Sequence, residues 1–297
     1  MTQGGDVPGT SGADARGLFI TFEGGDGAGK TTQIDHVRQW LRGRGLDVAV
    51  TREPGGTELG LDLRRLIQHG PEDVDPRTEA LLYAADRAYH VATLVRPSLL
   101  AGLVVLGDRY IDSSLAYQGA ARALGVDEIR ALSTWATQGV EPDLTFLLDL
   151  PPEVGAARGT GTPDRLERES LDFHERVRHE YLRLAEENPT RIVVIDAVGT
   201  PDQVFSEIRG VLEERLPALL TGIAGVSPAP VTTPSDEGGP ALVEVEVVRG
   251  GDGRVASDDA AEAAGSAEAA GPADGGTLGT LLTEAQGALW GGEDSLL

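Results

Sequence analysis

The stretch FITFEGGDGAGKTT, residues 19–32, decides the fold of this chain. Its first four residues, Phe19 to Phe22, are apolar or β-branched and predict a short buried strand. A glycine-dense turn follows, and from Lys30 onward apolar residues recur at helical spacing. The stretch therefore predicts a strand, a loop and a helix in direct succession.

Residues 24–31 of this stretch fit the pattern G-x-x-x-x-G-K-[ST] of a phosphate-binding loop, or P-loop. In such a loop the glycines let successive backbone N–H groups face phosphate oxygens, and the following helix adds its dipole. Lys30 would reach the β- and γ-phosphates and Thr31 would ligate Mg²⁺, whereas an ordinary glycine-rich turn needs neither residue. The predicted ATP- and phosphate-binding residues are Gly24, Gly25, Asp26, Gly27, Ala28, Gly29, Lys30, Thr31 and Thr32.

The composition of the chain limits the other possible functions. The 297 residues include 48 Asp and Glu against 25 Lys and Arg, a net charge of −23. A chain this acidic is not expected to bind a nucleic acid, which requires a basic surface. The absence of cysteine excludes disulfides and thiolate metal sites. Because the sequence shows neither a secretory signal nor an apolar run of about 18 residues, we expect a cytoplasmic protein without membrane contact.

Apolar runs and helical periodicities alternate from residue 17 to residue 217. Runs at 46–51, 103–108, 144–149 and 191–196 predict four strands after the first one. Between them, helices are predicted to begin at Asp75–Pro76, to span 164–187 and to begin again at Thr200–Pro201. We therefore predict an α/β domain over residues 16–217, a five-stranded parallel sheet with helices on both faces.

The two ends of the chain differ in composition from this domain. Residues 1–15 are rich in Gly, Ser and Asp, and residues 218–297 contain 13 acidic residues and two arginines. Such segments bury too little apolar surface to offset chain entropy, so the first is predicted to be disordered and the second mostly so. Two patterned segments, 241–248 and 278–290, could dock an unknown protein, and chance periodicity in a weakly structured tail is the alternative.

Charged residues follow two of the predicted strands, at the sheet edge where open α/β folds bind ligands. Asp108 and Arg109 end the third strand. There an acid can hold Mg²⁺ through water and an arginine can clamp phosphoryl oxygens, although an ordinary ion pair is the alternative. Arg52 and Glu53 end the second strand. Arg64 lies on the next predicted helix, where it could point back toward a phosphate, with a solvated surface residue as the alternative.

Five ordered motifs resemble those of bacterial thymidylate kinases and cover about residues 18–200. They are FEGGDGAGKTTQ (22–33), TREPGGT (51–57), LLYAADR (81–87), DRYIDSSLAYQG (108–119) and DRLERESLDFHERVRxxY (164–181). The resemblance implies a P-loop nucleoside monophosphate kinase fold with a lid, ATP and dTMP as substrates, Mg²⁺ as cofactor and a homodimer.

The resemblance also implies a role for each matching residue at the phosphates. Lys30 and Thr31 would hold the ATP phosphates and Mg²⁺. Glu53 would assist the metal through water. Together with Asp108 at the end of the third strand, the predicted metal residues are Thr31, Glu53 and Asp108. Asp26 would accept a hydrogen bond from the 3′-OH of the deoxyribose and lie near the metal.

A second implied set would bind dTMP. Arg64 and Arg109 would bind its phosphate, Tyr83 would stack on thymine, and Tyr117 would crowd the 2′ position. Arg87, four residues after Tyr83 and thus on the same helix face, would donate to thymine O4. With Ser114 and Gln118 at the base edge, the implied dTMP residues are Asp26, Arg64, Tyr83, Arg87, Arg109, Ser114, Tyr117 and Gln118.

Residues 155–168 are suited to a mobile lid that excludes water. In the family, an arginine for the transferring phosphoryl group comes from the P-loop or from the lid. This P-loop has none, and the usual lid position is occupied by Thr160. We therefore predict that Arg158 takes this role with help from Arg165. The predicted catalytic residues are Lys30, Arg109, Arg158 and Arg165.

Three functions are compatible with these features. The first is transfer of the ATP γ-phosphoryl group to dTMP, giving dTDP and ADP. The second is a kinase for another nucleoside monophosphate, against which Tyr83, Arg87 and Tyr117 argue. The third is a nucleotide-binding regulatory protein with weakened catalysis, suggested by the missing lid arginine and the acidic tail.

Overall fold

The computed structural model describes residues 17–159 and 163–221. Five parallel strands form one sheet in the order β2-β3-β1-β4-β5. The strands are β1 Phe19–Glu23, β2 Val48–Arg52, β3 Val104–Asp108, β4 Leu144–Asp149 and β5 Ile192–Asp196. This confirms the predicted five-stranded α/β fold, whereas the predictions for residues 1–15 and for most of 218–297 lie outside the described residues.

Nine α-helices connect and cover the strands in the described ranges. They are α1 Lys30–Arg42, α2 Glu58–His69, α3 Pro76–His90, α4 Arg96–Leu100, α5 Ile111–Ser114, α6 Val126–Thr137, α7 Pro152–Arg158, α8 Leu171–Glu187 and α9 Pro201–Thr221. Wider π-helical turns join α3 to α4 at Val91–Val95 and follow α5 at Leu115–Ala121. None of the described helices is long and apolar enough to cross a membrane.

The core consists of two apolar layers, one on each face of the sheet. Phe19 and Leu147 pack with residues of α3, α6 and α8. Ile20, Phe22 and Phe146 pack on the opposite face with residues of α1 and α9. Successive strand residues point to opposite faces, and strands buried on both faces read as continuous apolar runs. This is why the five runs could be recognised in the sequence.

The central position of β1 fixes where the P-loop lies. β1 pairs with β3 on one side and β4 on the other, and its register places Phe22 opposite Asp108. β2 pairs with the other side of β3, with Arg52 also opposite Asp108. Because all strands are parallel, their carboxyl ends meet at one edge, where the P-loop and the two charged strand ends lie together.

The described structure departs from the predicted helix over 164–187 at its beginning. Asp164 accepts hydrogen bonds from following backbone N–H groups, including that of Glu167 at 2.9 Å, and so forms a separate turn. Ser170 then caps α8 by accepting a backbone N–H at 3.2 Å, and the helix begins at Leu171. Two short polar side chains that compete for backbone N–H groups therefore divide the predicted segment.

The last described helix also extends further than expected. α9 begins at Pro201, as the Thr200–Pro201 pattern predicts, but it continues through Pro217 to Thr221. Helical structure therefore extends four residues beyond the domain boundary placed at residue 217.

Candidate active site

The P-loop wraps around the side chain of Lys30. Nζ of Lys30 donates to the carbonyl oxygens of Gly24 at 3.1 Å and Gly25 at 2.9 Å. At two positions of the loop only glycine fits, because φ is positive and a Cβ atom would clash with a neighbouring backbone carbonyl. A Cβ on Gly24 (φ 134°) would lie 2.4 Å from the Leu148 carbonyl oxygen, and Gly27 (φ 74°) is equally restricted. The loop therefore holds a buried ammonium group at the N-terminus of α1.

The surroundings of Lys30 favour an anionic ligand. Burial and the nearby Arg109 lower the pKa of Lys30, while Asp108 and Asp26 act in the opposite direction. An ammonium that has lost hydration and lies near a second cation gains from a polyanion. Together with the helix N-terminus, this makes the loop suited to the phosphates of a nucleotide.

The hydroxyl of Thr31 and the carboxylate of Asp108 form a small oxygen site. Thr31 Oγ1 donates to Asp108 Oδ2 at 3.2 Å. Mg²⁺ binds one or two protein oxygens and completes its shell with water and substrate phosphates, and this pair fits that chemistry. Among the described residues, no group of three or more acidic or histidine side chains is arranged to hold a metal without such additional ligands.

Glu53 is buried between two basic side chains. Its Oε2 accepts from Nε of Arg87 at 2.7 Å, and its Oε1 lies 2.8 Å from Nδ1 of His90. Burial raises the pKa of Glu53, but Arg87 and His90 more than offset this and hold the pKa below its ordinary value. Glu53 is thus the counter-ion of Arg87, and its assistance to the metal through water stays a prediction.

A cleft of about 580 Å³ opens beside the P-loop. All eight residues predicted to bind dTMP line this cleft, and so do Lys30, Thr31 and Asp108. Tyr83 is half-buried, whereas Tyr117 and Gln118, on the π-helical turn after α5, are buried. The structure therefore brings the phosphate site and the predicted acceptor residues into one continuous space.

Arg109 links the P-loop to the end of β3. One Nη atom lies 2.5 Å from Oδ1 of Asp26, and the other donates to the carbonyl oxygen of Gly24 at 3.1 Å. Arg109 adopts a left-handed backbone conformation (φ 69°), which is strained for a non-glycine residue and typical of functional turns. Burial raises the pKa of Asp26, but Arg109 and Lys30 hold it below its ordinary value, so this carboxylate is ionised.

A buried network behind Arg109 was missed by the sequence reasoning. The carboxylate of Glu23, the last residue of β1, accepts from Ser113 Oγ at 2.6 Å, Tyr181 Oη at 3.0 Å and the Tyr110 backbone N–H at 2.7 Å. Arg109 itself donates to Ser113 Oγ at 3.2 Å. Glu23 thus fixes the turn after β3 and orients the side chain of Arg109. The only signal of this role in the sequence is an acidic residue at the end of an apolar strand.

The two predicted lid arginines lie in different places. Arg158, the last residue of α7, lines the cleft and donates to the carbonyl oxygens of Ala197 and Val198, both at 2.9 Å. Arg165 is buried, donates to the Ile67 carbonyl oxygen at 3.1 Å and lies 2.7 Å from the Glu79 carboxylate. Arg165 does not line the cleft, so the structure does not support its predicted help in catalysis.

Asp86 is a buried carboxylate near the site, and one of its oxygens has no partner among the described residues. It is 1% exposed, and its Oδ1 accepts from the Gly55 N–H at 3.2 Å. Its Oδ2 has no hydrogen-bond partner in the described part of the chain. Burial and the charge of Glu53 raise the pKa of Asp86 to about 6. The folded protein therefore binds this proton more tightly than the unfolded chain, and the contribution of Asp86 to stability falls as pH rises from about 4 through about 6.

Asp86→Asn is expected to stabilise the protein by about 1 kcal/mol at pH 8, because the loss of a buried charge outweighs the cost of the two amide N–H groups that have no partner. The gain is expected to shrink as pH falls through 6. Urea unfolding between pH 5 and pH 8 measures it, with the exposed Asp62→Asn as control. A difference that does not change with pH would contradict the assignment.

These features define a class of protein. A P-loop at the end of a central strand and an acceptor cleft beside it are the parts of a P-loop nucleoside monophosphate kinase. The family model for thymidylate kinase matches residues 22–208. The chain therefore belongs to the thymidylate kinase family.

Curated relatives agree with this family. The chain is 55% identical over 203 residues to a thymidylate kinase of Leifsonia xyli subsp. xyli, which covers 67% of this chain and 96% of the relative. It is 54% identical over 196 residues to that of Clavibacter michiganensis subsp. michiganensis, covering 65% and 93%. It is 51% identical over 205 residues to that of a Synechococcus species, covering 69% and 98%.

Proposed function

We propose that the protein transfers the γ-phosphoryl group of ATP to dTMP, producing dTDP and ADP. The observation that carries this proposal is that the P-loop lysine and all eight predicted acceptor residues line the same cleft. Membership in the thymidylate kinase family supports the choice of dTMP as acceptor.

The residues at the phosphates suit a reaction that depends on alignment and on charge stabilisation. Phosphoryl transfer requires little covalent chemistry from the protein, so positioned cations do most of the work. Lys30 would contact the ATP phosphates, and Arg109, fixed by Asp26, would contact the acceptor phosphate. Thr31 and Asp108 would hold Mg²⁺, which supplies charge neutralisation on the β- and γ-phosphates when bound.

The residues around the acceptor base and sugar support a pyrimidine deoxynucleotide. Tyr83 offers an aromatic face, and Arg87 is held rigidly by Glu53 and by Ser114 Oγ, to which its Nη1 donates at 3.0 Å. Arg64 lines the phosphate end of the cleft and donates to the Pro54 carbonyl oxygen at 3.0 Å. Tyr117 would fill the space next to the ribose 2′ position.

A coupled assay of ADP release with dTMP, dUMP, UMP, CMP and AMP tests this function. We expect the highest kcat/KM with dTMP. Preference for UMP, CMP or AMP would instead favour a kinase for another nucleoside monophosphate. Absence of turnover with all five would favour the regulatory nucleotide-binding protein.

The separate positions of the lid arginines lead to a further prediction. Arg158 would release the backbone carbonyl oxygens and bind the transferring phosphoryl group. Arg158→Ala is therefore expected to lower kcat at least about tenfold, which corresponds to about 1.4 kcal/mol of lost transition-state stabilisation. Arg165→Ala removes a partner of the buried Glu79 and is expected to lower stability more than kcat. Steady-state kinetics and thermal unfolding of both variants decide this. A kcat of Arg158→Ala within threefold of wild type would contradict the assignment.

A homodimer is proposed on the basis of exposed apolar side chains on three packed helices. Leu66 on α2, Leu81 on α3 and Trp135 on α6 are 52%, 58% and 79% exposed. α3 packs against both α2 and α6, so the three exposed side chains lie on neighbouring helices. Large apolar side chains that are exposed on neighbouring helices are typical of interaction surfaces.

Trp135→Glu is expected to shift the protein toward monomer, because it places a charge in the proposed apolar interface. Sedimentation velocity of the full chain over a concentration series measures the shift. Leu171→Glu, which alters an exposed residue on α8, is the control. An unchanged sedimentation coefficient in Trp135→Glu would argue against this interface. The cytoplasmic location and the docking of a protein partner by residues 218–297 stay predictions.

A further inference from the structure

Glu79 is a fully buried carboxylate one helical turn before Tyr83 on α3. Its Oε1 accepts from Nε2 of Gln118 at 3.0 Å, and its Oε2 accepts from Nη2 of Arg122 at 3.2 Å. The guanidinium of Arg165 lies 2.7 Å from the same Oε2. Glu79 thus joins α3 to the π-helical turn that contains Gln118 and to the segment that precedes α8.

The charge of Glu79 determines how the amide of Gln118 is oriented. Burial raises the pKa of Glu79, but the hydrogen bonds from Gln118 and Arg122 and the adjacent guanidinium of Arg165 hold it below its ordinary value. An ionised carboxylate only accepts hydrogen bonds, so Gln118 must present its NH₂ group to Glu79. The end of the amide left for the cleft that Gln118 lines is therefore the acceptor Oε1.

An acceptor at this position distinguishes between pyrimidine bases. Thymine and uracil have an N3–H donor next to the O4 acceptor, whereas cytosine has an N3 acceptor next to the N4 amino donor. Gln118 Oε1 would accept from N3–H but would face the N3 lone pair of cytosine. Arg87, which can only donate, makes the matching distinction at O4.

We propose that Glu79 is a specificity-determining positioning residue, which fixes the amide of Gln118 so that its oxygen accepts from the base N3–H and rejects cytosine. This inference rests on the proposed function, because it requires Gln118 to face the acceptor base. Glu79 itself touches no substrate and acts through Gln118. Its bonds to Arg122 and Arg165 are the structural role from which this effect must be separated.

Glu79→Gln is the variant that tests the proposal. Its amide can donate to Gln118 Oε1, which allows Gln118 to turn its NH₂ group toward the base. We expect the ratio of kcat/KM for dTMP to that for dCMP to fall at least tenfold, because a mismatched buried hydrogen bond is a strong source of discrimination. The ratio for dTMP to dUMP is expected to stay within twofold, since both bases have N3–H. If Glu79 had a purely structural role, the variant would lower kcat/KM for dTMP, dCMP and dUMP by the same factor, and both ratios would stay unchanged.

Two further variants keep the test decisive. Arg122→Gln removes another partner of Glu79 but keeps the carboxylate, so its dTMP-to-dCMP ratio is expected to stay within twofold of wild type. Gln118→Met removes the acceptor and is expected to lower the same ratio even if Glu79→Gln does not fold. If Gln118→Met leaves the ratio unchanged, Gln118 does not read the base and the proposed placement of dTMP fails. If Gln118→Met lowers it but folded Glu79→Gln does not, the role of Glu79 is overturned while the placement of dTMP stands.

Discussion

Replacing Lys30 with methionine is expected to lower kcat by about 10²–10³-fold. Lys30 is held by two carbonyl oxygens of the loop, at 3.1 and 2.9 Å, and therefore needs little reorganisation to meet developing charge on a phosphoryl group. Loss of one such positioned donor costs roughly this factor in other enzymes. Methionine has a similar length and no charge, so the packing around the loop is kept.

The stability of Lys30→Met separates a catalytic loss from an unfolded site. Burial lowers the pKa of Lys30, which means that the charged ammonium group reduces the free energy of unfolding. The neutral variant is therefore expected to be at least as stable as wild type. Arg42→Met removes a cation from the last turn of the same helix and is expected to keep kcat within twofold. Rapid-quench measurement of a single turnover with both variants tests this. A Lys30→Met protein with more than a tenth of wild-type kcat would refute the assigned role.

The fold and the phosphate site could be predicted from the sequence because their signals are local. Five buried strands appear as continuous apolar runs, and the P-loop needs its glycines, Lys30 and Thr31 at fixed spacing. The juxtaposition of Thr31 with Asp108 also follows from the sequence once the strands are known to be parallel. Each of these inferences needs only a few neighbouring residues and one rule about sheet edges.

The buried charge pairs could not be predicted, because their partners are distant in the sequence. Glu79 lies on an amphipathic helix and would ordinarily be a solvated acid, yet its partner Gln118 is 39 residues away. Arg165 follows the glycine-rich segment and fits a mobile lid, but it is buried against α3. A charged residue in an amphipathic pattern is predicted to be exposed to solvent. This prediction is wrong for the few charged residues that are buried beside a counter-ion distant in the sequence.

Arg87→Met is expected to destabilise the protein by about 3–5 kcal/mol at pH 8, because it removes one partner of a buried ion pair and leaves Glu53 charged. Both side chains are about 2% exposed, and Nε of Arg87 lies 2.7 Å from Oε2 of Glu53. Arg87 also donates to Ser114 Oγ at 3.0 Å and to the Tyr110 carbonyl oxygen at 3.0 Å, and these acceptors would lose their donor. Chemical denaturation of the full chain, followed by tryptophan fluorescence, measures the loss.

The pH dependence and a double variant identify the cause of that loss. Arg87→Met removes the charge that most lowers the pKa of Glu53, so this pKa is expected to rise and the deficit of the variant is expected to shrink as pH falls from 8 to 5. Arg87→Met combined with Glu53→Gln leaves no buried charge at this pair and is expected to recover at least about 1 kcal/mol at pH 8. The double variant is not expected to regain dTMP binding, since it still lacks the proposed donor to thymine O4. A double variant less stable than Arg87→Met alone would show that Glu53 stabilises the fold through His90 and not as the counter-ion of Arg87, because His90 Nδ1 lies 2.8 Å from the other carboxylate oxygen.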